Sequence, residues 1–323
     1  LNQFYRDKYK GTLILRFDDT NPSKEKEYFE NIILEDIKML GLTPDRYTKT
    51  SDYFDLIIEF AEKMIKNGHA YCDDTPVEIM RQLRNQKQPS SYRDSSIKEN
   101  LDRWRVLKNG EQPNWCLRAK IDYASPNGCL RDPTIFRSSP DSHPACGKKY
   151  NIYPTYDFAC PIVDSIEGVT HALRTSEYHD RDDQYKWIIT MLGLREPAIF
   201  EYSRLNLQYT ILSKRKLTKI VESKVVDGWD DPRMPTVRGL LRRGLTLSGL
   251  KEFILAQGFS KSDVNMKSDK LWSFNRRLVE PQAHRLTALY SRDIVEVDIT
   301  SFTDESTKEV SLIPKCSSSS SKL

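Results

Sequence analysis

The run Thr12-Leu-Ile-Leu-Arg-Phe17, together with the turn and helix after it, constrains the fold of this chain more than any other feature. It is short and nearly continuously apolar, as a strand buried on both faces of a parallel sheet must be. Asp18-Asp-Thr-Asn-Pro22 breaks it, with Asn21 suited to cap a helix and Pro22 to its first position. Tyr28, Phe29, Ile32, Ile33, Ile37 and Leu40 then recur at helical spacing until Gly41 offers a C-cap. Strand, tight turn and helix in that order predict an α/β fold with a parallel sheet.

The rhythm repeats along the chain. Phe54, Ile57, Ile58, Ala61, Met64 and Ile65 predict a second helix closed by Gly68, and His69–Cys72 reads as the next strand. Composition shifts near Thr75. Residues 76–150 are polar and rich in Pro, Arg and Ser, with a helix expected around Ile97–Leu107 and short strands at Cys116–Ile121 and Thr134–Arg137. The apolar β/α rhythm returns afterwards, so this stretch reads as an insert. Val169–Arg174 predicts a strand, Tyr185, Ile188, Ile189 and Leu192 a helix closed by Gly193, and Ile199–Leu207 a further strand. After Leu217 the signals turn helical, most clearly over Thr246–Gly258 and in parts of Leu271–Ser291. Ile294–Ile299 alternates as a half-buried strand does, and an all-β segment is expected to begin there.

A chain of 323 residues has room for two or three domains. Its net charge of +4 permits an acidic partner such as RNA without requiring one. No apolar run approaches the roughly 18 residues of a membrane span, and no membrane partner is expected. Leu1–Lys8 is polar and lacks the apolar core of a signal peptide. The terminal Ser321-Lys322-Leu323 spells a peroxisomal address, but it follows a serine run and we read it as accidental. The six cysteines, at 72, 116, 129, 146, 160 and 316, include no CxxC pair and read as reduced thiols of a cytosolic protein. Cys129, His143 and Cys146 have zinc-ligating side chains, but without a paired ligand motif no metal-ligating residue is predicted.

Ligands of an open parallel sheet bind beyond the carboxyl ends of its strands. Three such ends carry suggestive groups here: Asp18 and Asp19, then Arg174 and Thr175, then Ser203-Arg-Leu-Asn206 with the basic run Ser213-Lys-Arg-Lys216 close behind. Each also has a structural reading. The Asp-Asp-Thr-Asn-Pro turn is explained by helix capping, a lone strand-end Arg by a surface ion pair, and Lys-Arg-Lys by a solvated loop. Neither a GxGxxG nor a GxxxxGK[ST] loop is present. Residue chemistry alone therefore yields a β/α protein with an anion-friendly rim.

Six stretches carry a resemblance. Leu15-Arg-Phe-Asp-Asp-Thr-Asn-Pro22, Tyr153-Pro-Thr-Tyr-Asp-Phe158, Glu167-Gly-Val-Thr-His-Ala-Leu-Arg-Thr175, Ser203-Arg-Leu-Asn-Leu207, Leu212-Ser-Lys-Arg-Lys-Leu217 and Gly228-Trp-Asp-Asp-Pro-Arg-Met-Pro235 occur in family order. Together they resemble the glutamyl/glutaminyl branch of class I aminoacyl-tRNA synthetases, in its archaeal and eukaryotic cytosolic form. Leu212–Lys216 is similar to the family's KMSKS-type loop, with Leu in place of Met. The resemblance implies a Rossmann-type catalytic domain over 1–75 and 151–217, interrupted by an acceptor-stem-binding insert over 76–150. A helical connecting subdomain over 218–291 and the start of an anticodon-binding β-barrel over 292–323 would come after it. The family's HIGH motif does not occur in the 323 residues and is expected just upstream of Leu1, within a longer enzyme.

The same resemblance assigns roles. Asp18 would bind the substrate α-amino group, Tyr156 would hydrogen-bond the amino acid, and Arg174 would take the γ-carboxylate. The position of Arg174 carries Arg in glutamyl enzymes and typically Cys in glutaminyl ones, and a guanidinium is a bidentate match for a carboxylate. Thr175, Arg204, Leu205, Leu212, Ser213 and Lys214 would form the ATP site. Lys214, helped by Ser213, would act in catalysis by neutralising phosphate charge as pyrophosphate leaves. The implied activity is that of a cytoplasmic glutamate–tRNA ligase: ATP, accompanied by Mg²⁺, activates glutamate, and the acyl group passes to tRNA(Glu). A multi-synthetase assembly through the termini is a further implied partner. A glutaminyl enzyme and a non-catalytic RNA-binding derivative are the alternatives.

Overall fold

Ile14–Phe17 forms a strand (β1) that pairs in parallel with Arg46–Lys49 (β2), Leu15 opposite Tyr47 and Phe17 opposite Lys49. This comes from a computed structural model that describes residues 1–22, 27–111, 114–284 and 288–296. A short helix, Asn2–Tyr9 (α1), precedes β1, and Glu27–Met39 (α2) lies between the two strands. Gly41 adopts φ 63°, the left-handed conformation that lets it close α2 as expected.

The chain divides into two units, Leu1–Leu205 with Gly258–Val264, and Asn206–Gln257 with Asn265 onward. In the first, Phe54–Lys66 (α3) buries Phe54, Ile57, Ala61, Met64 and Ile65 on the face that the apolar spacing predicts. The next strand, Ala70–Asp73 (β3), forms where expected but leaves the parallel pattern. It pairs antiparallel with Cys116–Ala119 (β4), which pairs with Thr134–Ser138 (β5), which pairs with Ile152–Pro154 (β6). Two helices precede β4: Val77–Gln86 (α4) and Ile97–Lys108 (α5), the latter started by a capping box between Ser96 and Glu99. Trp104, Leu117 and Phe136 from this stretch share one core with Phe54, Phe158 and Ile188, so the core is continuous across residues 75 and 150.

Tyr156–Ile166 (α6) follows β6 directly, with Pro161 inside it. The parallel pattern then resumes. His171–Thr175 (β7) pairs with Ala198–Tyr202 (β8), placing Arg174 opposite Glu201. Between them Asp182–Leu192 (α7) buries Tyr185, Ile188, Ile189 and Leu192 and ends at Gly193, φ 69°.

In the second unit Asn206–Leu207 (β9) pairs in parallel with Asn265–Met266 (β10). The strand expected over Ile199–Leu207 is thus two pieces separated by Ser203–Leu205. Three helices lie between β9 and β10: Lys214–Glu222 (α8), Val237–Arg242 (α9) and Leu247–Gln257 (α10). Ser268–Val279 (α11) follows, and Phe253 of α10 meets Phe274 of α11 edge to face at 5.9 Å. The Gly228–Pro235 motif makes a tight turn in which Asp231 accepts hydrogen bonds from the backbone of Asp227 and Arg233 and from the Arg233 side chain. A Cβ on Gly239 would stand 2.5 Å from the carbonyl oxygens of Asp231 and Met234, so only glycine lets α9 pack here. The expected strand at Ile294–Ile299 falls largely outside the described residues; Ser291–Asp293 is a 3₁₀ turn and residues 294–296 carry no strand. No described helix is long and apolar enough to cross a membrane.

Candidate active site

In the first unit Asp18, Tyr156, Leu173, Arg174, Thr175, Tyr178 and Arg181 line one cavity of about 400 Å³. Asp18, Tyr156, Arg174 and Thr175 are the four that the sequence singles out. They arrive from three elements: the carboxyl end of β1, the first residue of α6 and the carboxyl end of β7.

The two adjacent aspartates do different work. Asp19 is buried and fully engaged, accepting from the Ser51 N–H at 2.8 Å and the Ser51 hydroxyl at 2.6 Å. Its carbonyl oxygen lies 2.7 Å from His143 Nε2. His143 Nδ1 accepts from the N–H groups of Ala145 and Cys146, which leaves Nε2 as the donor to Asp19. The His143 ring stacks on Tyr153 at 5.7 Å. Nε2 thus holds the turn after β1, while Nδ1 fixes the loop that carries the histidine.

Asp18 instead opens into the cavity. Its side chain reaches solvent, yet the surrounding protein displaces enough water to push its pKa above the ordinary carboxylate value. Hydrogen bonds from Thr20 pull the other way, and Asp19 adds to the rise.

Arg174 is held before any ligand arrives. Its side chain is 9% exposed, Nη1 lies 3.3 Å from Asp182 Oδ1, and the guanidinium sits 5.0 Å from the Tyr178 ring and 5.3 Å from the Tyr185 ring. Asp182 belongs to a chain of charges. It is raised in pKa by burial and by the neighbouring Glu201 carboxylate. Glu201 is drawn down to about 2 by Lys261, 2.8 Å away, and by His179, 2.5 Å away. The ligand atoms of His179, Asp182 and Glu201 lie within 4.8 Å of one another, a spacing a metal ion could use. Arg174 and Lys261 already occupy the two carboxylates as counter-charges, so the trio reads as an ion-pair network.

Beneath the cavity runs a second network. Arg16, the one charged residue of β1, pairs with Asp164 at 2.5 Å and Glu167 at 3.0 Å. Asp164 also accepts from Tyr185 at 2.9 Å, and Tyr53 donates to Glu167 at 3.0 Å. The Cys160 thiol donates to the Tyr156 hydroxyl at 3.4 Å and is pushed up to about 12 by burial, so it stays protonated. Burial raises the Tyr156 phenol as well, keeping it a neutral hydrogen-bonding group.

Tyr178 and Arg181 are additions that sequence reasoning misses. Both sit on the 3₁₀ turn Ser176–Arg181 that follows β7. Arg181 pairs with Asp157 through both carboxylate oxygens, one at 2.6 Å, and lies 5.6 Å from the Tyr178 ring. Their signal was position alone, immediately after a strand end already marked by Arg174 and Thr175.

The other expected residues lie elsewhere. Arg204 is exposed and pairs with Glu177 at 3.0 Å, and with Leu205 it ends the first unit. Leu212, Ser213 and Lys214 belong to the second unit. Ser213 is the N-cap of α8 and Lys214–Lys216 form its first turn, so the basic run is helix rather than free loop. Leu217, one of the apolar residues closing that run, anchors it by packing with Val226 and Met234.

One carboxylate, a preset guanidinium and two tyrosine rings around a single cavity suit a small zwitterion that also bears a further negative charge. Residues 1–281 match the family described as tRNA synthetases class I (E and Q), catalytic domain.

The chain belongs to that family.

Among curated relatives of this class I synthetase chain, the mouse bifunctional glutamate/proline–tRNA ligase is 58% identical over 317 residues, covering 98% of this chain and 21% of its own length. The cytoplasmic glutamate–tRNA ligase of Saccharomyces cerevisiae is 51% identical over 292 residues, 90% of this chain and 41% of the relative. That of Arabidopsis thaliana is 47% identical over 317 residues, 98% and 44%. The chain therefore spans less than half the length of these relatives. A crystal structure of a glutamate tRNA ligase from Elizabethkingia meningosepticum superposes with a TM-score of 0.60 at 15% identity, covering 86% of this chain and 65% of that one. This likeness shows the shared class I synthetase fold.

Proposed function

We propose that this synthetase chain supplies the amino-acid site of a glutamate–tRNA ligase. The carrying observation is the pairing of Asp18 with the preset Arg174 in one cavity. An ammonium and a side-chain carboxylate on one ligand satisfy those two groups together, and glutamate has both. Glutamine would offer the Arg174 guanidinium a neutral amide in place of a carboxylate and forfeit a charge-assisted pair worth about 1.5–3 kcal/mol. Support also comes from relatives named glutamate–tRNA ligase at 47–58% identity. The yeast and Arabidopsis relatives are named cytoplasmic, and we propose the same location here.

In this reading Asp18 holds the α-ammonium, Tyr156 hydrogen-bonds the amino acid, and Arg174 takes the γ-carboxylate. ATP is the co-substrate, brought in with Mg²⁺ and bound by Thr175, Arg204, Leu205, Leu212, Ser213 and Lys214. The α-carboxylate attacks the α-phosphate in line and pyrophosphate leaves. Lys214 and Ser213 offset the charge that builds on the leaving phosphates, which is electrostatic stabilisation and needs no enzyme-bound covalent intermediate. The terminal ribose hydroxyl of tRNA(Glu) then takes the acyl group. Residues 76–150 would bind the acceptor stem, 218–291 connect, and 292–323 begin an anticodon-binding barrel; a multi-synthetase assembly is a further proposed partner. The test is ATP–pyrophosphate exchange by the full-length gene product with tRNA(Glu) present. Exchange that depends on glutamate and not on glutamine is expected; exchange driven equally by glutamine would refute the assignment.

A further inference from the structure

A second cavity, of about 440 Å³, lies wholly within the second unit and is lined by Arg243, Trp272, Asn275, Arg276, Val279 and Glu280. None of these residues figures in the reaction above. Asn275 is spent on structure: its amide donates to the Gly244 carbonyl at 2.9 Å and its oxygen accepts from the Thr246 N–H and hydroxyl. The arginines differ. Their sequence neighbours Arg242 and Arg277 are ion-paired, with Asp230 at 3.0 Å and Glu252 at 2.8 Å. Among the described residues neither Arg243 nor Arg276 has a carboxylate partner. The guanidinium carbon of Arg243 stands 5.0 Å from the centroid of the Trp272 ring.

Two unpaired guanidiniums at one cavity, against the single acid Glu280, leave it in need of an anion. One guanidinium also stands over an indole at cation–π distance. Arginine and tryptophan side by side are groups on which an unstacked nucleobase can lie, and a phosphate suits the second arginine. The volume falls within the roughly 300–1,000 Å³ of ordinary ligand pockets. Charge points the same way. The second unit holds 19 of the chain's 50 lysines and arginines but 13 of its 46 acidic residues, a net +6 where the whole chain carries +4. A polyanion finds its attraction in this unit.

We propose that the Arg243–Trp272–Arg276 cavity is an RNA contact site that takes one unstacked base of the tRNA against the Arg243–Trp272 pair and its phosphate on Arg276. The proposal rests on the reading of the chain as a tRNA ligase and adds a place where the tRNA is gripped away from the reacting atoms. An acidic protein segment could meet the same cations, but it offers no planar group for the pair.

The experiment is filter binding of a tRNA(Glu) transcript to the full-length protein over about 50–200 mM salt, a range in which phosphate contacts show in the slope. Arg276→Gln is expected to weaken binding about three- to tenfold and to lower the salt slope by about one. Arg243→Gln should weaken it comparably, Trp272→Leu should follow, and Trp272→Phe, which keeps a stacking face, should stay near wild type. Because Arg243 and Arg276 are exposed and hold no side-chain hydrogen bond among the described residues, the Gln variants should melt at the wild-type temperature. Unchanged affinity and slope in the Arg243→Gln/Arg276→Gln double variant would overturn the proposal, as would a wild-type protein that does not bind the transcript. An unchanged RNA titration with loss of a bound acidic protein would overturn it in favour of a protein site. Binding is read without aminoacylation, so a wild type that binds tRNA but shows no glutamate-dependent exchange counts against the ligase assignment alone.

Discussion

Arg174 Nη1 stands 3.3 Å from Asp182 Oδ1, and two tyrosine rings flank the guanidinium, so the candidate carboxylate reader is aimed before a ligand enters. Orientation fixed in advance lowers the cost of binding, and it makes selectivity depend on the support as well as on the reader. Arg174→Cys should lower kcat/KM for glutamate by about 10²–10³-fold, the scale of losing a charge-assisted pair, and should erase discrimination against glutamine. Asp182→Asn keeps the cation but loosens its aim. A several-fold rise in the glutamate KM, with the ATP KM unmoved, is expected. The two exchange assays decide it: unchanged glutamate/glutamine selectivity in Arg174→Cys removes Arg174 from this role.

Asp18 gives a pH prediction whose sign is the reverse of the usual carboxylate. Its folded pKa is raised, chiefly by burial, so the fold favours the protonated form. That contribution to stability is fully present below the unfolded carboxylate pKa and is lost as pH rises through the raised folded value. At neutral pH the ionised carboxylate therefore costs stability, and it is the ionised form that binds an ammonium. Asp18→Asn should melt no lower than wild type at pH 7, with any advantage shrinking as the pH falls. It should also abolish glutamate-dependent exchange. Wild-type KM for glutamate should rise on acidification sooner than an ordinary carboxylate would allow. A stable, fully active Asp18→Asn protein would rule out the ammonium role.

The sequence disclosed the local elements better than the way they pair. Phe54 to Ile65 and Tyr185 to Leu192 announced their helices because periodicity is local, and Gly41 and Gly193 ended theirs through backbone conformations few other residues adopt. Ala70–Asp73 was legible as a strand, yet nothing in four apolar-to-polar residues says that its partner is Cys116–Ala119, antiparallel and 43 to 49 positions away. The helix Tyr156–Ile166 was hidden by Pro161, which lowers helix propensity but is tolerated among the buried contacts of Phe158, Ile162 and Val163. In the site, Asp18, Arg174 and Thr175 were legible as the ends of strands, whereas Tyr156 was marked only by the family resemblance. Tyr178 and Arg181 were not, since a turn of polar residues carries no period. Arg16 was visible as a charge inside an apolar strand, but its partners Asp164 and Glu167 lie about 150 residues on.

Lys214 begins α8, where the helix N-terminus already favours negative charge and three consecutive cations add to it. Like charges crowded at that end work against the helix itself, and the proposed phosphate role gives them a function. Lys214→Ala should lower kcat for exchange by about 10²–10³-fold, the usual effect of removing one transition-state charge donor, and leave the melting temperature within about 2 °C. Lys216→Ala should have a smaller effect. Steady-state exchange beside a thermal melt separates the cases, and a fully active Lys214→Ala would remove the residue from catalysis.

His143 supplies a test of the turn that carries Asp18 and Asp19. The imidazole is 2% exposed, accepts two backbone N–H groups, donates to the Asp19 carbonyl and stacks on Tyr153. His143→Ala removes all of these at once and leaves both a void and unpaired buried backbone groups. A loss of about 2–4 kcal/mol is expected, or roughly 3–6 °C in melting temperature for a chain of this size. His143→Gln, whose amide can still donate and accept, should recover part of it. A zinc-binding role for His143 with Cys129 and Cys146 makes a different prediction, because a chelator would then destabilise the wild type. With every ring nitrogen already bonded to backbone, we expect the wild-type melt to be unchanged by chelator, and a chelator-induced fall would restore the metal reading in place of the hydrogen-bonded one.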